Sequence, residues 1–428
     1  MSPEIFLVAA LVGAWFTFNA YVPIRTLGPL VVPSFFAGWL TSELAMHHLA
    51  WQLLATGVFV LAGALDAWPG WVGLGVCIAS WAGLWGLTLY ADRASGAVEA
   101  ALVEGLGPGY RDSIAPDVAK AIEKPLRPGR KMVPFLLFDP EVSRTGGLYH
   151  TPELGAHGAL DVYGSRNAGE HAPVLLQIHG GAWMIGEKRQ QGLPLMLQAA
   201  RAGWVCVASN YRLSPAATFP DHLVDVKRAI AWIRTNIAEY GGDPDLICIT
   251  GGSAGGHLSS LAALTANDPE YQPGFSEVDT SVSACVPFYG VYDFTNSRGK
   301  QATDSQHKFL EKIVMKSSRA EHRKDWEKAS PLFRIHPGAP PFFVIHGSLD
   351  GLASPAEARL FASLLRATAH EPVCYAEIPG AQHAFEVFHS KRTTQVVRGV
   401  ERFLGWVVSR KRSQAPRLSG AATTSRTT

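Results

Sequence analysis

The sequence predicts an α/β fold, a mostly parallel central sheet with helices on both faces, preceded by an N-terminal transmembrane helical segment. Three observations predict it. Residues 1–91 hold three long apolar runs without a charged side chain. From about residue 150, short near-continuously apolar runs alternate with longer amphipathic ones, as strands buried on both faces alternate with the helices that cover them. Charge is sparse in the first part and ordinary in the second.

The apolar runs are Ile5–Ile24, Leu49–Leu65 and Trp71–Tyr90. A helix needs about 20 apolar residues to cross the hydrocarbon core of a bilayer, which the first and third runs provide. The middle run is shorter. Pro33–Met46 either extends it or lies along the interface, since Glu43, His47 and His48 suit a flat position better than a buried one. Trp15, Trp51, Trp71, Trp81 and Trp85 suit a membrane environment, particularly near helix ends. A soluble helical bundle would need a charged outer face, which these residues do not supply. No Lys or Arg precedes the first run and no clear small-residue cleavage site follows it, so a cleaved signal peptide is not expected.

Basic residues set the expected orientation. Arg25 follows the first run, Asp66–Gly70 has none, and Arg93, Arg111, Lys120, Lys124, Arg127, Arg130 and Lys131 follow the third. With three spans the positive-inside rule puts the amino terminus outside and everything after residue 91 in the cytoplasm, giving a multi-pass protein of the cell (cytoplasmic) membrane. If Pro33–Leu65 re-enters without crossing, there are two spans and the domain shares the side of the amino terminus. The five cysteines form no CxxC pair, and four lie in apolar strand-like runs, so a reducing compartment is the simpler expectation. The net charge of +2 gives no reason to expect a nucleic-acid partner.

The expected organisation is a transmembrane anchor over 1–91, a basic connector and possible cap over 92–149, a catalytic domain over 150–408, and a disordered tail over 409–428. Val174–Ile178, Trp204–Ala208, Leu246–Thr250, Val282–Phe288, Phe342–Ile345 and Val373–Ile378 read as strands. Asp221–Tyr240 is the clearest helix and stops at Gly241-Gly242. Residues 292–340 interrupt the alternation with a long, charged, partly helical insertion, the usual form of a lid or cap.

The chemistry is carried at strand ends. Leu246–Thr250 runs into Gly251-Gly252-Ser253-Ala254-Gly255-Gly256 and then a helical pattern. This is the G-x-S-x-G nucleophile elbow in its context of strand, sharp turn and helix, the mark of the α/β-hydrolase fold. A glycine-rich turn with an incidental serine would give the same pentapeptide, but a second element argues otherwise. His179-Gly180-Gly181-Ala182-Trp183 follows the strand Val174–Ile178, where acyl transfer needs backbone N–H groups aimed at a developing oxyanion. Gly180, Gly181 and Ala254 are the candidate donors. The remaining members must follow in the order acid, then histidine. Asp350 follows the strand Phe342–Ile345 and is the expected acid. His383 follows Val373–Ile378 and is the expected base, taking the Ser253 proton while Asp350 fixes its tautomer.

Other residues have simpler roles. His257, His346 and His389 are expected to pack, to support the acid loop and to lie in the next helix. Asp243 and Asp293 do not follow the strand that should carry the acid. His47 and His48 lack a carboxylate or cysteine partner for a metal site. Neither a metal nor an organic cofactor is implied.

His179–Trp183, Asn210–Pro215, Gly251–Gly256, Asp350 and His383 together resemble the hormone-sensitive-lipase-like branch of α/β-hydrolases, the bacterial family IV esterases. The apolar segment, with Glu239–Pro244 and Pro287–Phe294, is similar to membrane-associated bacterial carboxylesterases and lipases of that branch. The chain departs from the family pattern at Ala182, where a third glycine is usual, at Gly252, where an acid is common, and in an acid loop without Asp-Pro-Leu. The resemblance implies hydrolysis of a carboxylic ester through an acyl-enzyme. A lipid-like or apolar acyl substrate is expected, because the anchor places the site near lipid and the mouth offers Trp183, Met184, Tyr289 and Phe385. The alternatives are a prenylcysteine methylesterase, which the same loops also resemble, an acyltransferase, or a membrane scaffold with an inactive hydrolase domain. No protein partner is indicated.

Overall fold

The computed structural model describes residues 2–414, apart from 26–27, 123, 126, 128, 166–168, 170 and 300–303. In chain order the elements are α1 (Pro3–Tyr21), α2 (Val31–Glu43), α3 (Ala45–Leu61), α4 (Trp68–Ala91), α5 (Arg93–Leu106), α6 (Pro116–Ile122), β1 (Val142–Tyr149), β2 (Ala159–Ser165), β3 (Ala172–Ile178), α7 (Leu193–Arg201), β4 (Val205–Ser209), α8 (Asp221–Asn236), β5 (Gly242–Gly252), α9 (Ala254–Leu264), β6 (Ala284–Phe288), α10 (Asp304–Phe309), α11 (Arg323–Lys328), β7 (Phe342–Gly347), α12 (Pro355–Thr368), β8 (Val373–Ile378) and α13 (Lys391–Gln414). The eight strands form one sheet in the order β1-β2-β4-β3-β5-β6-β7-β8. The β1–β2 and β2–β4 pairs are antiparallel and all later pairs parallel.

Side-chain alternation makes two cores from one sheet. On β3, Val174, Leu176 and Ile178 face the side covered by α8, α9 and α12, while Leu175 faces α5, α7 and α13. On β5, Ile247 and Ile249 take the first side and Leu246 and Cys248 the second; on β7, Phe342 and Val344 oppose Phe343 and Ile345. On β3, β4, β6 and β7 both faces are buried, so these strands appear in the sequence as near-continuous apolar runs.

Three expectations change. The sheet begins inside the presumed connector, because β1 is an edge strand on which only Val142 is buried and no apolar run announces it. α5 does not cover the site: Ala94, Val98, Ala101 and Leu102 are buried against β8 and α13. Gly105 is pressed on Cys374 and Gly399 on Val98, so α5 belongs to the helical layer of the sheet. The carboxyl-terminal helix runs to Gln414, past the expected start of the tail, because Val407, Val408 and Ser409 are buried and Arg410 pairs with Glu371. The rest of that tail lies outside the described residues. The insertion between β6 and β7 is anchored by Leu310, Val314 and Trp326, all buried in the first core.

The amino-terminal helices pack by close approach and a small polar network. Gly73 of α4 lies on Leu7 and Phe6 of α1. The Thr17 and Ser80 hydroxyls are 2.7 Å apart, and Ser80 donates to Gln52 at 3.0 Å. The outer faces are apolar: Leu54 is 71% and Trp68 73% exposed. α1 and the continuous α4–α5 stretch are each long and apolar enough to cross a membrane. α2 and α3 meet at a 93° bend, as a broken span or a re-entrant loop would, so the count is two or up to three.

One ion pair fastens this segment to the catalytic domain. Arg392 Nη1 of α13 donates to Glu43 Oε1 of α2 at 2.9 Å, with both side chains at most 1% exposed. Ser390 Oγ donates to Glu43 Oε2 at 2.7 Å. Removing one partner of a buried pair leaves an uncompensated charge and costs about 3–5 kcal/mol. Arg392→Met is therefore expected to lower the melting temperature of the detergent-solubilised protein markedly, and Glu43→Gln/Arg392→Met to recover most of the loss. Wild-type melting of the single variant contradicts this account.

Candidate active site

β5 ends where the chain must turn sharply into α9. Ser253 sits at that turn with φ 58° and ψ −120°, a conformation rarely adopted by a residue with a side chain. Its N–H donates to Phe288 O at 2.9 Å, which ties the turn to β6. A Cβ on Gly255 would strike the carbonyl of Ile178 on β3, so glycine is needed there for close packing rather than for flexibility. At Gly252, where related sequences commonly carry an acid, a Cβ would lie 2.6 Å from the Tyr289 hydroxyl. The Tyr289 phenol fills that space.

The loop after β3 passes over the turn. A Cβ on Gly180 would lie 3.1 Å from Ser253 Cβ. Gly181 has φ 114°, and Ala182 and Trp183 also have positive φ. The Gly180 N–H donates to Gln191 Oε1 at 2.7 Å, so of the three expected donors this one already has a partner. Ala254 opens α9, where an N–H has no partner within the helix. His179 shapes the loop as expected: its Nδ1 lies 2.7 Å from Gly180 O and its ring stacks on Tyr211 at 4.4 Å. Burial holds the His179 pKa down near 4, so it stays neutral. The Asn210–Pro215 stretch braces this loop from behind, with Tyr211 Oη donating to His179 O, Asn210 Oδ1 accepting from Lys188 N, and Ser214 N donating to Trp183 O.

His383 and Asp350 meet beyond the ends of β8 and β7. His383 Nδ1 is 2.6 Å from Asp350 Oδ2, and both are nearly inaccessible. Asp350 Oδ1 accepts from the N–H groups of Leu352 and Ala353 at 2.8 and 2.9 Å. His346 Nε2 approaches Asp350 Oδ2 at 3.2 Å, so this histidine supports the acid itself as well as its loop. Burial alone would raise the Asp350 pKa, but attraction to His383 and the hydrogen bonds from His346 and His383 outweigh it and hold the carboxyl well below the usual range. An ionised Asp350 fixes the Nδ1–H tautomer and leaves Nε2 as proton acceptor. Tyr289 joins the two halves of the site. Its hydroxyl lies on Gly252, beside the serine, and its ring is 4.5 Å from that of His383.

The competitors are occupied elsewhere. His257 is buried, bonds Trp183 Nε1 and Ala329 O, and is held neutral by burial with a pKa near 3. Asp293 caps the turn through Thr295 and Ser297. His389 precedes α13 rather than lying in it, with its N–H on Pro134 O. Three of the four residues expected at the mouth are buried: Trp183 packs against His257 and Phe294, Phe385 lies in the second core, and Tyr289 is 1% exposed. Their aromatic bulk is used to hold the loops, while Met184 remains half-exposed beside exposed Ile185.

Sequence reasoning missed Gln191, Glu386 and two residues of α2. Tyr289 Oη donates to Glu386 Oε1 at 2.5 Å, and burial raises the Glu386 pKa to about 7. Phe35 meets the His383 ring edge-on at 6.3 Å, and Trp39 Nε1 donates to Ala384 O at 2.9 Å. No group of His, Cys, Asp and Glu suited to a metal ion occurs among the described residues.

A family model described as BD-FAE matches residues 160–365. The chain is similar to the probable carboxylic ester hydrolase LipM of Mycobacterium tuberculosis H37Rv, 43% identical over 411 residues, covering 94% of this chain and 93% of the relative. It is also similar to esterase LipQ of the same organism, 43% identical over 333 residues, covering 77% of this chain and 78% of the relative. It is 27% identical over 274 residues to the isoprenylcysteine α-carbonyl methylesterase ICME of Arabidopsis thaliana, covering 62% of each. Among solved structures, a bifunctional GH43-CE protein of Bacteroides eggerthii matches with a TM-score of 0.53 at 26% identity, over 61% of this chain and 37% of that one. Propionate-bound Est2 of Thermogutta terrifontis matches with a TM-score of 0.50 at 23% identity, over 66% and 97%, which speaks to the fold alone. An identity of 43% over 94% and 77% of the chain to two named ester hydrolases, on a sheet of this topology, identifies the chain as a member of the hormone-sensitive-lipase-like α/β-hydrolases and an enzyme that hydrolyses carboxylic esters.

Proposed function

We propose that the chain is a membrane-anchored serine carboxylesterase that cleaves esters with an apolar acyl group. Ser253 attacks the carbonyl, His383 takes its proton and later returns it to the leaving alcohol, and Asp350 orients and stabilises the imidazolium. Gly181 and Ala254 donate to the oxyanion, with Gly180 joining if its N–H leaves Gln191. The observation that carries this reading is the buried His383–Asp350 pair, joined through Tyr289 to a serine on a strained turn at the same edge of the sheet. A methyl ester of a prenylated cysteine is a second substrate reading, favoured by the similarity to the plant methylesterase and by the apolar helices.

The proposed topology is three spans, with the amino terminus outside and the catalytic domain in the cytoplasm. Besides the basic residues, contacts support it. The chain after α1 reaches the catalytic domain, where Arg25 lies on Gly351. α2 touches that domain along its length, through Trp39 and Glu43. α3 leaves from the same side, with His47 Nε2 on Met132 O, and α4 returns to it, with Lys391 Nζ on Thr88 O and Asp92. On this reading α1, α3 and α4 cross, and α2 lies flat between the bilayer and the domain.

Three tests follow. Ser253→Ala should abolish hydrolysis of p-nitrophenyl esters and labelling by a serine-reactive phosphonate while melting like wild type; labelling of the variant at another serine assigns the nucleophile elsewhere. Asp350→Asn should lower turnover by orders of magnitude, about 10⁴-fold by the handling of such a change in a serine protease; full activity there, with Asp293→Asn inactive, assigns a different carboxylate. A reporter active only in the cytoplasm, fused after residue 408, should be active, and a periplasm-only reporter silent. The reverse pattern inverts the topology and shifts the substrates to envelope or external esters.

A further inference from the structure

α2 does more than join two spans. Its face toward the catalytic domain meets the loop that carries His383 at every turn. Phe35 stacks on Trp39 at 5.3 Å and meets the His383 ring at a steep angle, 6.3 Å between ring centres. Gly38 is pressed so closely on the Gln382 side chain and Asn19 O that a Cβ has no room. Trp39 Nε1–H holds the carbonyl of Ala384, and its ring packs on Phe388 at 5.4 Å. Glu43 closes the contact through Ser390 and Arg392. Ala384 has φ 57°, so the main chain beside His383 is in a strained conformation that a fixed external contact must help to hold. The acid loop is touched as well, with the Cβ position of Gly351 3.5 Å from Arg25 Cγ. The opposite face of α2 is apolar and open: Val32 is 52% and Phe36 54% exposed.

We propose that α2 is a working wall of the active site: Trp39 positions His383 through the Ala384 carbonyl, and Phe35, beside the His383 ring, bounds the space for the acyl group, so that substrates are lipid-borne acyl esters entering along α2. This rests on the reading of His383 as the base. Two consequences are physical. A displacement of about 1 Å at a catalytic group costs up to roughly a hundredfold in rate, so the indole hydrogen bond should appear in kcat rather than in KM. A bulky ring bounding an acyl site discriminates chain lengths, about tenfold or more for each methylene that fits or clashes.

The test uses the full chain in detergent with p-nitrophenyl butyrate and laurate. Trp39→Phe keeps an aromatic ring and removes the N–H. It should lower kcat for both esters roughly ten- to a hundredfold with KM within about twofold. Phe35→Ala should raise the laurate-to-butyrate ratio of kcat/KM by about tenfold or more. Melting curves establish that each variant is folded; if Trp39→Phe is not, Phe35→Ala alone decides. Wild-type kcat in folded Trp39→Phe, or a wild-type chain-length ratio in folded Phe35→Ala, overturns the proposal. His383→Ala separates the two levels: loss of its activity alongside wild-type α2 variants removes only the present inference, whereas an active His383→Ala removes the base on which it rests.

Discussion

The turn at Ser253 is the constraint on which the site depends. A side-chain-bearing residue at φ 58° persists only where its surroundings over-determine it. Here the surroundings are β3, β6 and α9, packed so tightly that Gly255 must lie against the Ile178 carbonyl and Ser253 N–H must bond Phe288 O. The sheet supplies this compression because both its faces are filled. The apolar runs that bury β3, β5 and β6 therefore also lift Ser253 out of the sheet edge, so the packing that stabilises the fold also sets the geometry of this turn.

The second dependence is less ordinary for a hydrolase domain. The loop carrying His383 is held on one side by Tyr289 and Glu386 and on the other by α2. Tyr289 occupies the space that Gly252 leaves, and its hydroxyl finds the buried Glu386 carboxyl. The acid missing before Ser253 thus coincides with a carboxyl placed three residues after His383. On the other side the Glu43–Arg392 pair, out of reach of water, fixes the register between α2 and α13. α2 is therefore packed into the domain that carries His383 and Asp350.

What the sequence made legible follows from what writes a pattern. Strands β3 to β8 were readable because burial on both faces leaves continuous apolar runs, and the elbow, the Gly180–Gly181 loop, Asp350 and His383 because each follows such a run at its carboxyl end. β1 was not readable, since an exposed edge strand carries no such run. α5 fell within the presumed connector, and its partner was not readable, because an amphipathic pattern does not say what covers it. The mouth residues were misjudged for a related reason: a large aromatic beside a catalytic motif serves equally to brace a loop or to meet a substrate, and Trp183 and Phe385 brace. Phe35 and Trp39 were invisible because in an apolar segment a side chain facing lipid and one facing protein look alike.

The proposed turnover passes through an acyl group on Ser253. Its most direct measurement is rapid mixing of the purified chain with a p-nitrophenyl ester, followed by acid quench and peptide mass mapping. The acyl mass is expected on the peptide carrying Gly251–Gly256, at Ser253. An acyl mass on any other residue would contradict it.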